Sequence, residues 1–139
     1  MRVDNIIQKK GTEVVTLSSE SSISTLLATL AKHSIGAVVV VDGDKVVGIV
    51  SERDVVRHLA DTESVEGQIS SIMSRDLQTC GRDDDIRHLA AKMTERRIRH
   101  LPVMDGDELV AIVSIGDVVK SRLDDLEAER DHLHDYVHG

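Results

Sequence analysis

Two hydrophobic patterns alternate along the chain, one with helical spacing and one made of short, continuous apolar runs. Apolar residues three and four positions apart predict one buried helix face over residues 22–34 and another over residues 85–97. A pair of apolar runs follows each helix, AVVVV with VVGIV and LPVM with LVAIV, and such runs are typical of strands covered on both faces. Asp-Gly, a strong tight-turn signal, separates the two runs of each pair. The pattern therefore predicts two units, each a helix followed by a β-hairpin.

These two units are copies of one another. Residues 35–56 and 98–119 align without a gap at an offset of 63 positions (98 minus 35). Each copy is predicted to have the order β-α-β-β-α, with its first strand at Val14–Leu17 or at Leu77–Cys80. One such unit buries little surface alone, so the copies are expected to pack face to face about a pseudo-two-fold axis.

The predicted fold class is α/β in the broad sense, of the α+β kind, with one compact pair of repeats. Residues 1–64 would form the first repeat, residues 65–120 the second, and residues 121–139 a long C-terminal helical extension. A connecting helix is also expected within residues 57–75, because its apolar residues could share one face. That face would consist of Val65, Ile69, Ile72 and Met73.

The chain from Val118 onward is highly charged but carries one apolar seam with 3–4 spacing. A charged helix with a single apolar seam is expected to pack against a partner. The seam covers about two and a half heptads, which is short for a coiled coil, and it favours a homodimer. Its members are Val119, Leu123, Leu126, Leu133 and Val137.

Composition narrows the function classes. The formal charge is −8 and aromatic residues make up 1% of the chain, so neither phosphate neutralisation nor base stacking supports nucleic-acid binding. Cys80 is the single cysteine, which fits a reducing compartment. The sequence has no apolar run typical of a signal peptide or a membrane span. We expect a cytoplasmic protein that contacts neither membrane nor nucleic acid.

Each copy ends its third strand with Ile-Val-Ser-x-x-Asp, which places Ser51 before Asp54 and Ser114 before Asp117. Tandem β-α-β-β-α units with an Asp-Gly hairpin and this ending resemble the paired cystathionine-β-synthase (CBS) domain, or Bateman module, over roughly residues 3–120. The resemblance implies a regulatory module that is not an enzyme. It binds an adenine nucleotide such as AMP, ADP or ATP as ligand, needs no cofactor, and signals to an unknown regulated protein.

The resemblance further implies two clefts between the repeats, with each Asp at ribose and each Ser near phosphate. Such Ser and Asp residues are also ordinary helix caps, so the motif has a purely structural interpretation as well. Site one would combine Ser51, Arg53, Asp54, Gln78, Thr79, Arg99, His100 and Leu101. Site two would combine Val15, Thr16, Gly36, Ala37, Val38, Ser114 and Asp117.

The two clefts are predicted to be unequal. Site one has Arg99 and His100 where site two has Gly36 and Ala37, and arginine suits phosphate because its planar fork donates hydrogen bonds in pairs. Site one is therefore expected to bind more tightly. An aliphatic slot would hold adenine, formed by Ile49 and Leu101. The neighbouring pair Arg96 and Arg97 is interpreted as a solvated helix end.

Other interpretations stay open from the sequence alone. The main alternative is a ligand-free dimerisation or scaffold protein whose clefts have degenerated. Cys80 could sense oxidants, although a buried apolar role is more common. His134 and His138 share one helix face at a spacing that can hold zinc, but without a third ligand a solvated helix end is the simpler interpretation, and no metal is expected. Lys9 and Lys10 form a basic entry to the first strand.

Overall fold

The computed structural model describes residues 1–138, without the side chain of His138. In the part described it is a mixed α/β fold with two small sheets, which confirms the predicted class. The elements in chain order are α1 (Val3–Lys10), β1 (Thr16–Ser18), α2 (Ile23–His33), β2 (Ala37–Asp42), β3 (Lys45–Ser51), α3 (Glu52–Thr62), a 3₁₀ turn (Ile69–Ser71), α4 (Ile86–Arg96), β4 (His100–Asp105), β5 (Glu108–Ser114) and α5 (Ile115–His138).

The hairpins follow the prediction closely. Strands β2 and β3 pair antiparallel, as do β4 and β5, and the tight turns place Gly43 at φ 61° and Gly106 at φ 60°. A residue with a Cβ is strained at such angles, which is why the Asp-Gly signal is informative. Four consecutive residues of β2 from Ala37 are buried, as expected for a strand covered on both faces.

The helices of the two copies begin and end at equivalent positions. Ser22 caps α2 by accepting a hydrogen bond from the Thr25 N–H, and Asp85 caps α4 by accepting one from the Arg87 N–H. Both helices end in a left-handed residue, Ser34 at φ 51° and Arg97 at φ 55°. The fold therefore demands an unfavourable backbone conformation at this position, and neither copy uses glycine to supply it.

The second copy lacks the first strand that the sequence predicted at Leu77–Cys80. Only Cys80 forms a parallel bridge, with its N–H donating to the Pro102 carbonyl and its own carbonyl accepting from Met104. Pro102 has no N–H, so it cannot donate the hydrogen bond that would extend this ladder toward Gln78. The corresponding residue in the first copy is Val39, which leaves β1 free to pair with β2 over three residues.

The predicted connecting helix within residues 57–75 is also wrong. Helix α3 ends at Thr62, Glu63 takes a left-handed conformation, and Gly67 follows at φ 113°, so the chain turns away before a single 3₁₀ turn forms. Ile69 and Met73 do carry the predicted apolar character, because they are buried in the core of the first repeat. Burial alone was the correct part of that prediction.

The hydrophobic interior forms two clusters, one for each repeat, and each cluster includes residues from outside its own repeat. The N-terminal residues Val3, Ile6 and Ile7 of α1 belong to the cluster of the second repeat. Conversely, Ile69 and Met73, which follow the first repeat in sequence, belong to the cluster of that first repeat. The repeat boundary between residues 64 and 65 stays a prediction. In the structure, segments of each repeat pack into the core of the other.

The linker also crosses the first sheet closely. Ile49 and Ser74 exchange two backbone hydrogen bonds of 2.8 and 3.0 Å, which bring the linker backbone against Gly48. A Cβ at Gly48 would lie 2.8 Å from the Ser74 carbonyl oxygen and 2.9 Å from the Met73 sulfur. The equivalent position in the second copy is Ala111, which is buried. Glycine at position 48 is therefore set by the crossing linker.

Candidate functional site

A large open cleft lies between the two repeats, with a volume of about 1270 Å³. Its first wall comes from the end of β3 and the start of α3, and its second wall comes from the end of α4 and the start of β4. Residues from both copies therefore face one shared space. The predicted site-one residues that line it are Ser51, Arg53, Asp54, Gln78, Arg99 and His100.

Ser51 and Asp54 form a capping box at the start of α3. The Ser51 N–H donates to Asp54 Oδ2 at 2.8 Å, and the Asp54 N–H donates to Ser51 Oγ at 3.4 Å. The capping role is thus present in the structure. The cap uses only one oxygen of the carboxylate, because Asp54 Oδ1 accepts no hydrogen bond from the residues described. That oxygen, at the rim of the cleft, can accept from the hydroxyls of a bound sugar.

Two of the predicted site-one residues do not line the cleft. Leu101 is fully buried in the core of the second repeat, because strand side chains alternate and His100 takes the face that meets the cleft. Ile49 lines the cleft, so the expected aliphatic slot keeps one of its two members. Thr79 is the second predicted site-one residue that does not line the cleft, and its carbonyl accepts a hydrogen bond of 2.9 Å from Lys92 Nζ.

The cleft contains more positive charge than the motif indicates. Arg96 and Arg97, interpreted from sequence as a solvated helix end, line the cleft, and Arg57 of α3 joins them. Within residues 1–138, no carboxylate lies within 4.0 Å of these guanidinium groups or of those of Arg53 and Arg99. Five unpaired arginines therefore face one space. The helical phase of α3 could have predicted Arg57, since it lies four residues after Arg53.

His100 lies at the boundary between the two repeats. Burial lowers the pKa of its imidazole, and the Lys10 ammonium lowers this pKa further, whereas Glu52 and Asp117 raise it. A Cβ at Gly36 would lie 3.2 Å from His100 Cε1, so glycine there leaves room for the ring. The imidazole is accordingly neutral at pH 7, and the positive charge of the cleft comes from its arginines.

The residues predicted for the second cleft lie in several different surroundings, and the second cleft itself stays a prediction. Gly36 and Ala37 line the first cleft instead, and Val38 is fully buried in the core of the first repeat. Val15 packs partly against that same core, and Thr16 is an exposed residue of β1. The remaining members are Ser114 and Asp117, which form the cap of α5.

Asp117 is held by a residue of the chain itself. Lys10 Nζ lies 2.6 Å from Asp117 Oδ2 and also donates to the Ile112 carbonyl at 2.8 Å. Burial alone would raise the pKa of Asp117, but the hydrogen bonds from Lys10 and from the Ser114 backbone outweigh it, and the pKa lies below its usual value. Lys10 thus takes the place next to Asp117 that the sequence assigned to a ligand.

Replacing Lys10 with methionine should lower the free energy of unfolding by about 1 kcal/mol at pH 7, because it removes a charged hydrogen bond that is partly buried. Since the pKa of folded Asp117 lies below that of the unfolded chain, roughly 3.9, the contribution is present above about pH 5 and fades as the pH falls below about 4. Urea unfolding at several pH values measures it.

Lys9 supplies the matched control for this measurement. Its ion pair with Asp124 spans 3.5 Å between side chains that are 67% and 39% exposed, so Lys9→Met should change stability little. Equal losses for the two lysine variants would contradict the special role of Lys10.

Other candidate chemistry in the sequence contributes little here. Cys80 is buried, and burial, followed by the charge of Asp84, raises the pKa of its thiol to about 12 despite Lys92, so the thiolate is scarce at neutral pH. Among the side chains described, no group of three or more His, Cys, Asp or Glu is arranged to hold a metal. The side chain of His138 lies outside the described residues, so its pairing with His134 stays a prediction. None of the helices in the described range combines the length and the hydropathy that a membrane span requires.

Comparison with solved structures finds close relatives of this fold. A CBS-domain containing protein from Agrobacterium tumefaciens superimposes with a TM-score of 0.85 at 38% identity, covering 88% of this chain and 99% of that one. The CBS domain pair of protein MJ0100, solved in complex with 5-methylthioadenosine and S-adenosyl-L-methionine, gives 0.79 at 31% identity, covering 91% and 98%. The CBS domain protein PAE2072 from Pyrobaculum aerophilum, complexed with AMP, gives 0.75 at 28% identity, covering 84% and 89%.

Sequence comparison agrees with the structural likeness. The chain spans 81% of the length of a CBS domain-containing relative from Bacillus subtilis, at 27% identity, but 34% of a longer Thermofilum pendens protein, at 38% identity. The family model of the CBS domain matches twice, at residues 5–61 and 69–124, which are the two copies of the internal repeat. The chain belongs to the CBS domain family, as a tandem pair of these domains.

Proposed function

We propose that the chain is a regulatory module that binds an adenine nucleotide in the first cleft and reports its presence to another protein. The observation that carries this proposal is the convergence of Asp54 from one repeat with Arg99 from the other on one cleft. A carboxylate can accept from both hydroxyls of a ribose, and a guanidinium can donate a pair of hydrogen bonds to a phosphate. The complexes of two related CBS pairs with adenosine compounds support the same ligand class.

The surroundings of the cleft suit such a ligand. Ser51 stands at the N-terminus of α3, where the helix dipole favours an anion. Ile49 offers an aliphatic surface for a flat base. Ligand sites in proteins usually occupy roughly 300–1000 Å³, so a cleft of about 1270 Å³ has room for a nucleotide.

The signal would pass through the helices that follow the two Ser-x-x-Asp motifs. A ligand held by Ser51 and Asp54 contacts the first turn of α3, where Val56 is exposed and also lines the cleft. By the internal repeat, Val119 is the equivalent residue on α5, and it is also exposed. We expect these two helices to form the surface that pairs with a second copy or with the regulated protein. A ligand can shift such a surface only by its difference in affinity for the two states.

A scaffold function without ligand is the second candidate, and the exposed apolar seam of α5 favours it. The five predicted seam residues are between 44% and 74% exposed. Such a long apolar face is expected to be covered in the working protein. Under this alternative the cleft would be empty at all nucleotide concentrations, and dimerisation would be the whole function.

Calorimetric titration with AMP, ADP and ATP, together with melting temperatures at millimolar nucleotide, distinguishes the two functions. A ligand that binds the native state must raise the melting temperature by mass action. Asp54→Ala should weaken binding at least tenfold and Asp117→Ala far less, because Lys10 already occupies the second carboxylate.

The two aspartates are matched controls for each other, since both also cap a helix through the N–H of a serine. Equal losses of affinity would contradict the assignment of the ligand to the first cleft. The absence of any melting shift with all three nucleotides would favour the scaffold. A cytoplasmic location belongs to the same proposal.

A further inference from the structure

The internal repeat provides its own comparison for the charge of the first cleft. Each arginine of the cleft has an equivalent 63 positions away, and these equivalents would line a second cleft built in the same way. Among them only one is a lysine and none is an arginine. The equivalents of Arg53, Arg57, Arg96, Arg97 and Arg99 are Gly116, Lys120, His33, Ser34 and Gly36. The cluster of guanidinium groups is therefore a property of the first cleft and not of the fold.

The cleft lining carries a positive charge within a negative protein. Five arginines face three acids, Glu52, Asp54 and Asp76, while the whole chain has a formal charge of −8. Asp54 shares one oxygen with the Ser51 cap, and His100 is held neutral by burial. Guanidinium groups around one cleft repel one another, and an anionic ligand that enters between them relieves this repulsion.

One of these arginines stands at a strained backbone position. Arg97 ends α4 with φ 55° and ψ 40°, a left-handed conformation that costs a residue with a Cβ about 1 kcal/mol relative to glycine. Glycine or asparagine would end the helix at lower cost. Arg97 has no ion pair within the described residues that would compensate for this strain. Its side chain lines the cleft instead.

From these observations we infer that the cleft selects a polyanion, so that the adenine nucleotide proposed above carries at least two phosphate groups. The inference rests on that proposed function. Asp54 and Arg99 suffice for the sugar and the first phosphate, which leaves Arg57, Arg96 and Arg97 for a longer phosphate chain. A nucleoside di- or triphosphate neutralises this positive charge, and a monophosphate neutralises part of it. A sulfonium cation such as S-adenosylmethionine is repelled by it.

Titration calorimetry without Mg²⁺ tests the selectivity with ATP, ADP, AMP, inorganic tripolyphosphate and S-adenosylmethionine as probes. ATP should bind at least tenfold more tightly than AMP, with ADP between them and S-adenosylmethionine weakest. The preference for ATP should shrink between 50 and 500 mM salt. The arginines are open to solvent, and added salt screens their attraction for phosphate, since the Debye length falls from about 10 Å at 0.1 M to about 3 Å at 1 M. AMP binding as tightly as ATP, or S-adenosylmethionine binding more tightly, would overturn the inference.

The probes also separate this inference from the proposed function. Equal affinities for AMP and ATP with no binding of tripolyphosphate would leave an adenine-nucleotide site and remove the selectivity. Tripolyphosphate binding as tightly as ATP would support the polyanion cleft and contradict recognition of adenine.

Arg97→Asn examines the strained residue directly, with Ser34→Asn as the matched control at the equivalent left-handed position. Asparagine suits this conformation, so both variants should keep or slightly raise the melting temperature. Arg97→Asn should weaken ATP binding about fivefold to tenfold and AMP binding less, while Ser34→Asn should leave both unchanged. Equal losses for ATP and AMP, or no loss for either, would show that Arg97 does not contact the phosphate chain.

Discussion

Leu101→Ala should lower the free energy of unfolding by about 3 kcal/mol, which corresponds to a fall of roughly 10 °C in melting temperature. Leu101 is fully buried and packs with α1 and α4 in the core of the second repeat. Truncation removes buried methyl groups and leaves a cavity that the surrounding strands cannot fill. Denaturant unfolding followed by circular dichroism gives the loss. Well below the melting transition, the variant should still bind nucleotide with unchanged affinity.

Ile49→Ala is the matched comparison for Leu101→Ala, since both residues were expected from sequence to hold adenine. Ile49 is half-buried and lines the cleft, so its truncation should cost only about 1 kcal/mol of stability. It should, however, weaken nucleotide binding severalfold. The assignment of Leu101 to the core would fail if its truncation reduced affinity while leaving stability unchanged.

Gly48→Ala should destabilise the protein by about 2 kcal/mol, because the added Cβ meets backbone rather than the flexible end of a side chain. The contact with the Ser74 carbonyl at 2.8 Å cannot be relieved without moving the linker. Such a movement weakens the two hydrogen bonds between Ile49 and Ser74. Urea unfolding measures the loss, and faster proteolysis near residue 74 would show where the chain gives way.

Ala111→Gly is the reverse change at the equivalent position of the second repeat. It should cost about 1 kcal/mol, through lost packing and the greater entropy of unfolded glycine. Losses in both variants would show that glycine is required at position 48 and alanine is preferred at position 111. An alanine at position 48 that leaves stability unchanged would contradict the close approach of the linker.

The duplicated pattern was enough to predict most of the fold. The hairpins, the starts of α2 and α4, and the long α5 depend on local signals such as Asp-Gly turns, capping residues and helical spacing. The two failures have local causes as well. The single proline removed a strand, and a left-handed residue followed by Gly67 ended what helical spacing would have continued.

The candidate site was predictable only in part. Six of the eight residues expected at site one line the cleft, because the repeat offset and the family motif fix where β3 ends and where β4 begins. Leu101 was misplaced because the alternation of a strand decides its face, and a run of apolar residues does not show the phase. Lys10 was recognised as basic, but its ion pair with Asp117 spans 107 positions and has no signature in the sequence.

The ion pair between Lys10 and Asp117 is a structural difference between the two Ser-x-x-Asp motifs. A tethered ammonium group competes with any soluble ligand at a fixed and high effective concentration. The cationic partner of Asp117 is therefore permanent in the native state, whereas the cationic wall of the first cleft is supplied by residues that have no acid of their own.

The interleaving of α1 and the linker means that neither half of this duplicated gene product is a self-sufficient folding unit. Each half leaves behind part of the interior that its partner requires: Val3, Ile6 and Ile7 in one case, Ile69 and Met73 in the other. The two halves should consequently unfold in one cooperative transition, and a single repeat produced alone would need a second copy to supply the apolar residues that it lacks.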